Sequence, residues 1–599
     1  DKKLLAFTDN VQDAAHHAGF YNSRTWKFGL RTAITKFLNV EEEEYSFDEF
    51  ISRCAAYWRN YLGEDYFVAD FIPANLTWMR AYDRMCKEGT LRKDDDAKTL
   101  VSFVDQRFRY EILMEYGVLS RIGRTLEKAG CSVLSFDFEK AIPTIMERVA
   151  NEVGRLQSVG ADTFYKLIMG VLYQMKINGA FTYYVFEQFI QTGGNYYMLS
   201  NERRKWLPGV NRGLNVPKFV GINKGGKKMK GFELPNSRSW YGRWIDKYLP
   251  EFSLESDSFD IMKIILEELT NTGVLKVTAT PDSVDVYSIN PEKCKVTRSV
   301  KQMVCDVCGS QISLSGENAA IFEGACCTRY DCSGHLHISD ESDLDFYGKI
   351  YSQGELVRIV AKEHTGLLER DDREELERIF KKPKEDKKPW DANLLSCTPT
   401  LEMGIDIGDL STVILSSIPP AQANYAQRAG RGGRKDGNAL TVAVANARSH
   451  DLYFYQDPME MIAGAVEPPK VFLQASAVLE RQFTAYCMDC WVKNGSALIP
   501  QNVGACLAKL DETSKDRFPN NFLNYVQTNM AKLVRMFIQT FSTNNGGLDE
   551  SSIKDIKVFA MGEGTTKSPM HIKIYNEFLD LKKQRKGIQD SLSLIHISE

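Results

Sequence analysis

The densest chemistry in the chain is Arg428-Ala429-Gly430-Arg431-Gly432-Gly433-Arg434, three arginines and three glycines, preceded by Asn424-Tyr425-Ala426-Gln427. Arginine is permanently charged, and its planar donor fork matches phosphate oxygens. Glycine lets the backbone approach a ligand without a Cβ in the way. The stretch reads as an anion site, against the plainer alternative of an exposed basic turn. Upstream, Leu394-Leu395-Ser396-Cys397 is an apolar run that ends in the polar turn Thr398-Pro399-Thr400 and continues to Gly404-Ile405-Asp406.

A second constellation is built from thiols. Cys305-x-x-Cys308 is followed by Cys327-x-x-x-x-Cys332, with Gly309 and Gly334 after the two pairs. Two knuckles offering two thiolates each can close a tetrahedral Zn²⁺ site, and glycine permits the tight turn that aims amides at sulfur. Four protein ligands leave no open position for water, so the role is structural. Cys326 competes with Cys327, and His335 or His337 could substitute. Cys487-x-x-Cys490 lies in a helical pattern from Ala475 to Val492 and reads as core.

A third feature is basic and aromatic. From Glu202 to Trp244 there are eleven Lys or Arg against two acidic residues, with Trp206, Phe219, Phe232, Trp240, Tyr241 and Trp244 interleaved. Cations follow phosphates while aromatic faces stack on bases, so Arg203, Arg204, Lys205, Lys227, Lys228 and Trp240 are candidate nucleic-acid contacts. An exposed flexible loop around Lys224-Gly225-Gly226-Lys227-Lys228 is the plainer reading. It is no phosphate-cradling loop of the Walker A kind, because no Gly-Lys-Ser/Thr follows a glycine at the required spacing.

The elements that must position these groups alternate. Lys3 to Phe7 reads as a buried strand, Thr8-Asp9-Asn10 as capping residues, and Val11 to Phe20 as a helix. Strands follow at Val357–Ala361, Leu394–Cys397, Val413–Leu415 and Leu440–Val444, with a charged helix at Asp371–Phe380 and the arginine stretch opening another. That order predicts a mostly parallel sheet covered on both faces, an α/β fold split by a long insertion. The insertion reads as mainly helical, with winged-helix-like patterns at Phe164–Met175 with Tyr183–Ile190, and at Phe259–Thr270 followed by a two-stranded wing. The predicted parts are 1–20, first strand and helix of the split domain; 21–200, helical insertion; 201–300, basic segment and winged-helix-like module; 301–340, zinc knuckle; 350–455, remainder of the sheet domain; 456–591, helical extension.

A chain of 599 residues exceeds one hydrophobic core, and its 43% hydrophobic and 26% charged content is ordinary for globular protein. A net charge of −4 decides nothing about partners, because basic residues can be confined to one face. No run of about twenty apolar residues is present to span a bilayer. Thirteen cysteines, several clustered, suit a reducing, cytoplasmic setting with metal binding. The chain opens on Asp1 directly before a strand, and residues 592–599 look like a translated sequencing adapter; both ends read as truncated.

Residues 394–407 and 424–434 resemble motifs V and VI of superfamily 2 DEAD/DEAH-type helicases, the latter spelling Gln-Arg-x-Gly-Arg-x-x-Arg. Leu5 to Ala14 is similar to motif IV, the first strand of the second RecA-like domain. With Ala361 to Thr365, and Pro458 to Leu479 at the start of an extension, the order resembles large bacterial repair and phage-defence helicases with a zinc-binding C-terminal extension. The resemblance implies ATP and Mg²⁺ between two RecA-like domains. It implies Arg431 and Arg434 as arginine fingers, Gln427 near the γ-phosphate or attacking water, and Gly404 and Asp406 at the nucleotide sugar. Thr398 and Thr400 would meet the nucleic-acid backbone, while Arg428 makes structural pairs. The implied partners are DNA, single-stranded or duplex with an overhang, rather than RNA, and the first RecA-like domain of the same parent chain. That domain would carry the Walker A and DEAD/DEAH motifs, so this chain alone is expected to be inactive. A non-enzymatic nucleic-acid binding module on a degenerate helicase scaffold is the alternative from another class.

Overall fold

The computed structural model describes residues 3–41, 43–120, 123–154, 159–184, 219–222, 232–233, 239–250, 255–279, 285–329, 331–339, 344–402, 408, 410–434, 437–465, 475–495, 502, 506–507, 516–540, 548–562 and 568–595. Arg203, Arg204, Lys205, Lys227, Lys228, Gly404 and Asp406 lie outside them, as do the side chain of Thr400 and most of the pattern at Tyr183–Ile190. The described chain divides into two compact units, Asp1–Ala465 and Val466–Glu599.

The first unit holds a five-stranded, wholly parallel sheet. Its spatial order is Ala361–His364, Leu394–Cys397, Leu4–Phe7, Thr412–Leu415, Leu440–Ala443. The strand from the far N-terminus is therefore central, and the chain returns from the insertion to build both flanks. Leu5, Phe7, Leu395, Cys397, Val413 and Leu415 face one side, where Phe380 and Tyr425 pack from the helices Arg370–Lys381 and Gln422–Ala429. Ala6, Ala361 and Leu394 face the other, under Ala18 and Tyr21 of a first helix. Such short, apolar runs are what a parallel strand buried on both faces demands.

Two boundaries differ from the sequence reading. The first helix runs unbroken over Val11–Val40, so the sheet domain and the insertion share one element where a break at residue 20 was predicted. Asn10 caps it by accepting from the Asp13 amide at 2.8 Å. The edge strand occupies Ala361–His364 rather than Val357–Ala361. Asn393 is the reason: its Nδ2 donates to the Arg358 carbonyl at 2.7 Å and its Oδ1 accepts from the Val360 amide at 2.9 Å, diverting the preceding backbone from the ladder.

The insertion is mainly helical, with Phe47–Leu62, Asp95–Tyr116 and Ala161–Ile177 among its larger helices, around an aromatic core that includes Phe37, Phe50, Phe108 and Tyr116. Glu255–Asn271 is followed by the antiparallel pair Leu275–Ala279 and Asp285–Ile289. The predicted two-stranded wing is in fact half of a four-stranded sheet completed by Phe219–Gly221 and Phe232–Glu233. A further antiparallel sheet, Val300–Cys305 with Gln311–Ser315, His335–Ile338 and Ala325–Cys326, carries the clustered cysteines. The second unit is helical, with Ser476–Gly495, Asn520–Thr540 and Glu550–Met561 closing over Phe483, Trp491, Phe522 and a fully buried Cys487, the core position expected for it. No helix among the described residues is long and apolar enough to cross a membrane.

Candidate nucleotide and nucleic-acid edge

In a doubly covered parallel sheet the C-terminal ends of the strands are where ligands meet the fold. His364, Cys397, Phe7 and Leu415 end their strands in register, so Thr365, Thr398, Thr8 and Ser416 stand next along that edge. The ladder persists one step further, with the Thr8 amide donating to Cys397 O at 2.8 Å and the Ser416 amide to Phe7 O at 3.0 Å. Thr398 is 6% exposed, and its carbonyl accepts from the Leu401 amide at the start of the turn.

The helix Gln422–Ala429 delivers the arginines to this edge. Arg428 is buried, with its guanidinium 5.4 Å from the centroid of the Phe7 ring and Nη1 3.8 Å from Asp9 Oδ1. Ser417 Oγ donates to the other Asp9 oxygen at 2.6 Å, tying the turns after the two central strands together. After Ala429 the chain turns on Gly430, and Gly432 bridges Leu410 in parallel, its neighbour's amide donating to Leu410 O at 3.0 Å. A Cβ at Gly432 would stand 2.7 Å from Ala439 Cβ, which is why glycine is required there. Gln427 and Arg434 are exposed, and Arg434 Nε donates to Gly430 O at 3.3 Å; Arg431 is enclosed, at 5% exposure. The loop after Thr412–Leu415 is held to the one after Leu440–Ala443 by Asp451, whose carboxylate accepts from the amides of Asn446 and Ile418. Burial opposes that charge, but these amides and His450 outweigh it and hold the carboxyl below its ordinary range.

Residues 340–436 match the helicase conserved C-terminal domain. That segment is similar to the C-terminal half of superfamily 2 helicases. Druantia protein DruE of Escherichia coli (strain UMEA 4076-1) is 31% identical over 182 residues, which is 28% of this chain and 10% of that protein. The ATP-dependent helicase HRQ1 of Saccharomyces cerevisiae is 37% identical over 65 residues, 11% of this chain and 6% of HRQ1. Among solved structures, the DUF1998 helicase MrfA bound to DNA matches with 23% identity and a TM-score of 0.19, over 23% of this chain and 18% of that one. The chain thus spans a tenth or less of these two relatives' own lengths.

Elsewhere in the first unit the cysteines converge. The Sγ atoms of Cys305, Cys308, Cys327 and Cys332 all lie within 4.8 Å of one another, with Cys305–Cys332 and Cys308–Cys327 at 3.6 Å each. A tetrahedral Zn²⁺ with bonds of about 2.3 Å sets sulfurs about 3.8 Å apart, so the donor set fits. Amides point at the sulfurs as knuckle geometry requires, Arg329 N to Cys327 and Gly334 N to Cys332. The Ser310 amide brings the Cys308 thiol down to about 6, whereas burial pushes Cys327 up. Cys326 is outside the cluster, its amide donating to the Tyr248 hydroxyl, and His337 is occupied by Glu323.

The remaining predicted contact behaves differently. Trp240 stacks on Trp244 at 4.9 Å between centroids and donates its indole N–H to Thr328 O at 2.9 Å. Helix Trp240–Tyr248 also sends Lys247 Nζ to the carbonyls of Cys327, Arg329 and Cys332. Trp240 therefore braces the cysteine knuckle. Asp9 was missed as a site residue: Thr8-Asp9-Asn10 was legible as a cap, but nothing local identifies Asp9 as the partner of Arg428.

Proposed function

We propose that this chain is the C-terminal part of an ATP-dependent DNA helicase or translocase. The observation that carries the proposal is the anchoring of Arg428 against Phe7 and Asp9, which sets Gln427 and Arg434 on the surface beside the strand ends that bear Thr398. A group that completes a nucleotide site held by another domain must be exposed on its own. Arg434 meets that condition and is the leading arginine finger; Arg431, enclosed at the base of the loop, takes second place. Gln427 acts near the γ-phosphate or the attacking water. Gly404 and Asp406 meet the nucleotide sugar, and Thr398 and Thr400 contact the nucleic-acid backbone.

The phosphate-cradling loop and the Mg²⁺ ligands belong, in this reading, to a first RecA-like domain of the parent chain. Phosphate contacts carry no base information, so movement is largely independent of sequence. The basic segment adds contacts to single-stranded DNA or an overhang, and Zn²⁺ on the four cysteines supplies rigidity.

DNA-stimulated ATP hydrolysis by the full-length parent protein, with Arg434→Ala beside it, tests the reading. Loss of about 10³-fold or more in stimulated turnover is expected for a finger. Absence of ATP hydrolysis in both proteins would instead identify a non-enzymatic binding module.

A further inference from the structure

At the opposite end of the sheet from the arginine edge, where Ala361–His364 and Leu394–Cys397 begin, a cavity of 530 Å³ separates the sheet domain from helix Arg80–Glu88 of the insertion. Val360, Leu376 and Trp390 line one wall, and Tyr82 and Cys86 the other. Apolar side chains make up the larger part of the exposed lining, and several charged groups converge on it, in a concave site of the size that takes small molecules.

Its charges are unevenly matched. Lys87, Arg358, Lys362, Arg378 and Lys382 line it, against Asp83, Glu375 and Asp391. Three cations are neutralised in place: Lys87 by Asp83 at 2.9 Å, Arg378 by Glu375 at 2.6 Å and Lys382 by Asp391 at 3.0 Å. Among the described residues no carboxylate stands within 4.0 Å of Arg358 or Lys362. Arg358 donates to Ala69 O, which leaves most of its five donors uncommitted to protein acceptors. Burial lowers its pKa, with Tyr82 and Asp70 opposing only in part.

The cleft is also rigid. Asn393 clamps the backbone on both sides of Ile359, and Asn22 closes the free edge of the strand by exchanging two 2.8 Å hydrogen bonds with the Ala361 backbone. Arg358 is half-buried, with the Asp70 carboxylate opposing it in charge beyond ion-pair distance, and a phosphate dianion matches its fork in charge and geometry.

We propose that this cleft binds a free phosphomonoester of mononucleotide size, with the phosphate on Arg358 and Lys362. The site lies between the sheet domain and its insertion, apart from the arginine edge, and its ligand is an effector rather than the fuel of the motor.

Isothermal titration of the chain with adenosine monophosphate, cytidine monophosphate and ribose 5-phosphate tests the proposal. At least one is expected to bind at one site per chain. Lys362→Gln, an exposed and unpaired position, weakens it roughly tenfold or more, the loss of one charge-assisted contact. Arg358→Gln abolishes binding, and Arg434→Ala leaves it unchanged. Should Arg358→Gln fail to fold by circular dichroism, Lys362→Gln decides alone. Binding of none of the three, binding insensitive to Lys362→Gln, or binding lost with Arg434→Ala would each overturn the assignment.

Discussion

Nη1 of Arg428 lies 3.8 Å from Oδ1 of Asp9, although the whole insertion separates the two residues in sequence. The contact joins the turn after the central strand to the helix that carries the arginine motif. Asp9 keeps 46% of its side-chain exposure, so the ion pair alone contributes less than about 1 kcal/mol. The larger share comes from burying the guanidinium over Phe7.

Arg428→Met is accordingly expected to lower stability by about 1–3 kcal/mol. Arg434→Ala, which removes an exposed side chain, is expected to stay within about 0.5 kcal/mol of the parent. Urea denaturation of the two variants separates an anchoring arginine from a functional one. Equal losses in both would mean that Arg434 is also structural.

Metal content distinguishes the cysteines. Purified chain is expected to hold one zinc, and Cys308→Ser or Cys327→Ser to lose it, because each removes a sulfur from a cluster with four donors. Cys326→Ser is expected to keep it, since that residue stands on strand Ala325–Cys326 outside the cluster. Elemental analysis after dialysis against a chelator reads the result, and zinc retained in Cys327→Ser would sink the ligand set.

How much of this was legible in the sequence depends on whether the cause was local. Leu394–Cys397 was readable because a strand buried on both faces needs an unbroken apolar run. Val357–Ala361 looked equally strand-like, but Asn393, distant in sequence, withdraws its first residues from the ladder. The two knuckles were readable from spacing, whereas the choice of Cys327 over Cys326 needed the sheet to point one inward. For Trp240 the sequence offered only interleaved aromatics and cations; its stacking on Trp244 beside the cysteine knuckle is a tertiary contact with no local signal. The pairing of Arg428 with Asp9 had no local signal at all.

The insertion contains a buried ion pair whose energetics are separable. Lys176 Nζ donates to both oxygens of Glu127, at 2.7 and 2.9 Å, with the side chains 0% and 5% exposed. Breaking such a pair strands a buried charge, so Glu127→Leu or Lys176→Met alone is expected to cost about 3–5 kcal/mol. The double variant leaves no charge behind and is expected to recover most of that loss. A double-mutant cycle from denaturation midpoints measures it; additive losses would show that the two charges do not depend on each other.

Gly433 offers the sharpest test of the arginine loop. Its φ is +66°, in the left-handed region that L-residues enter at a cost of about 1–2 kcal/mol. A Cβ there would also stand 3.1 Å from Gly437 C and 3.2 Å from the Asn438 backbone, neither of which is a flexible side-chain end. Gly433→Ala must therefore shift the loop as well as strain it, and Arg434 is the next residue. Since catalytic positioning tolerates little displacement, a small structural change is expected to produce a large functional one. Stability should fall by only about 1–3 kcal/mol, while DNA-stimulated ATP turnover of the full-length parent falls about 10²-fold or more with little change in KM for ATP. Turnover that follows the modest stability loss alone would place Arg434 outside the reacting centre.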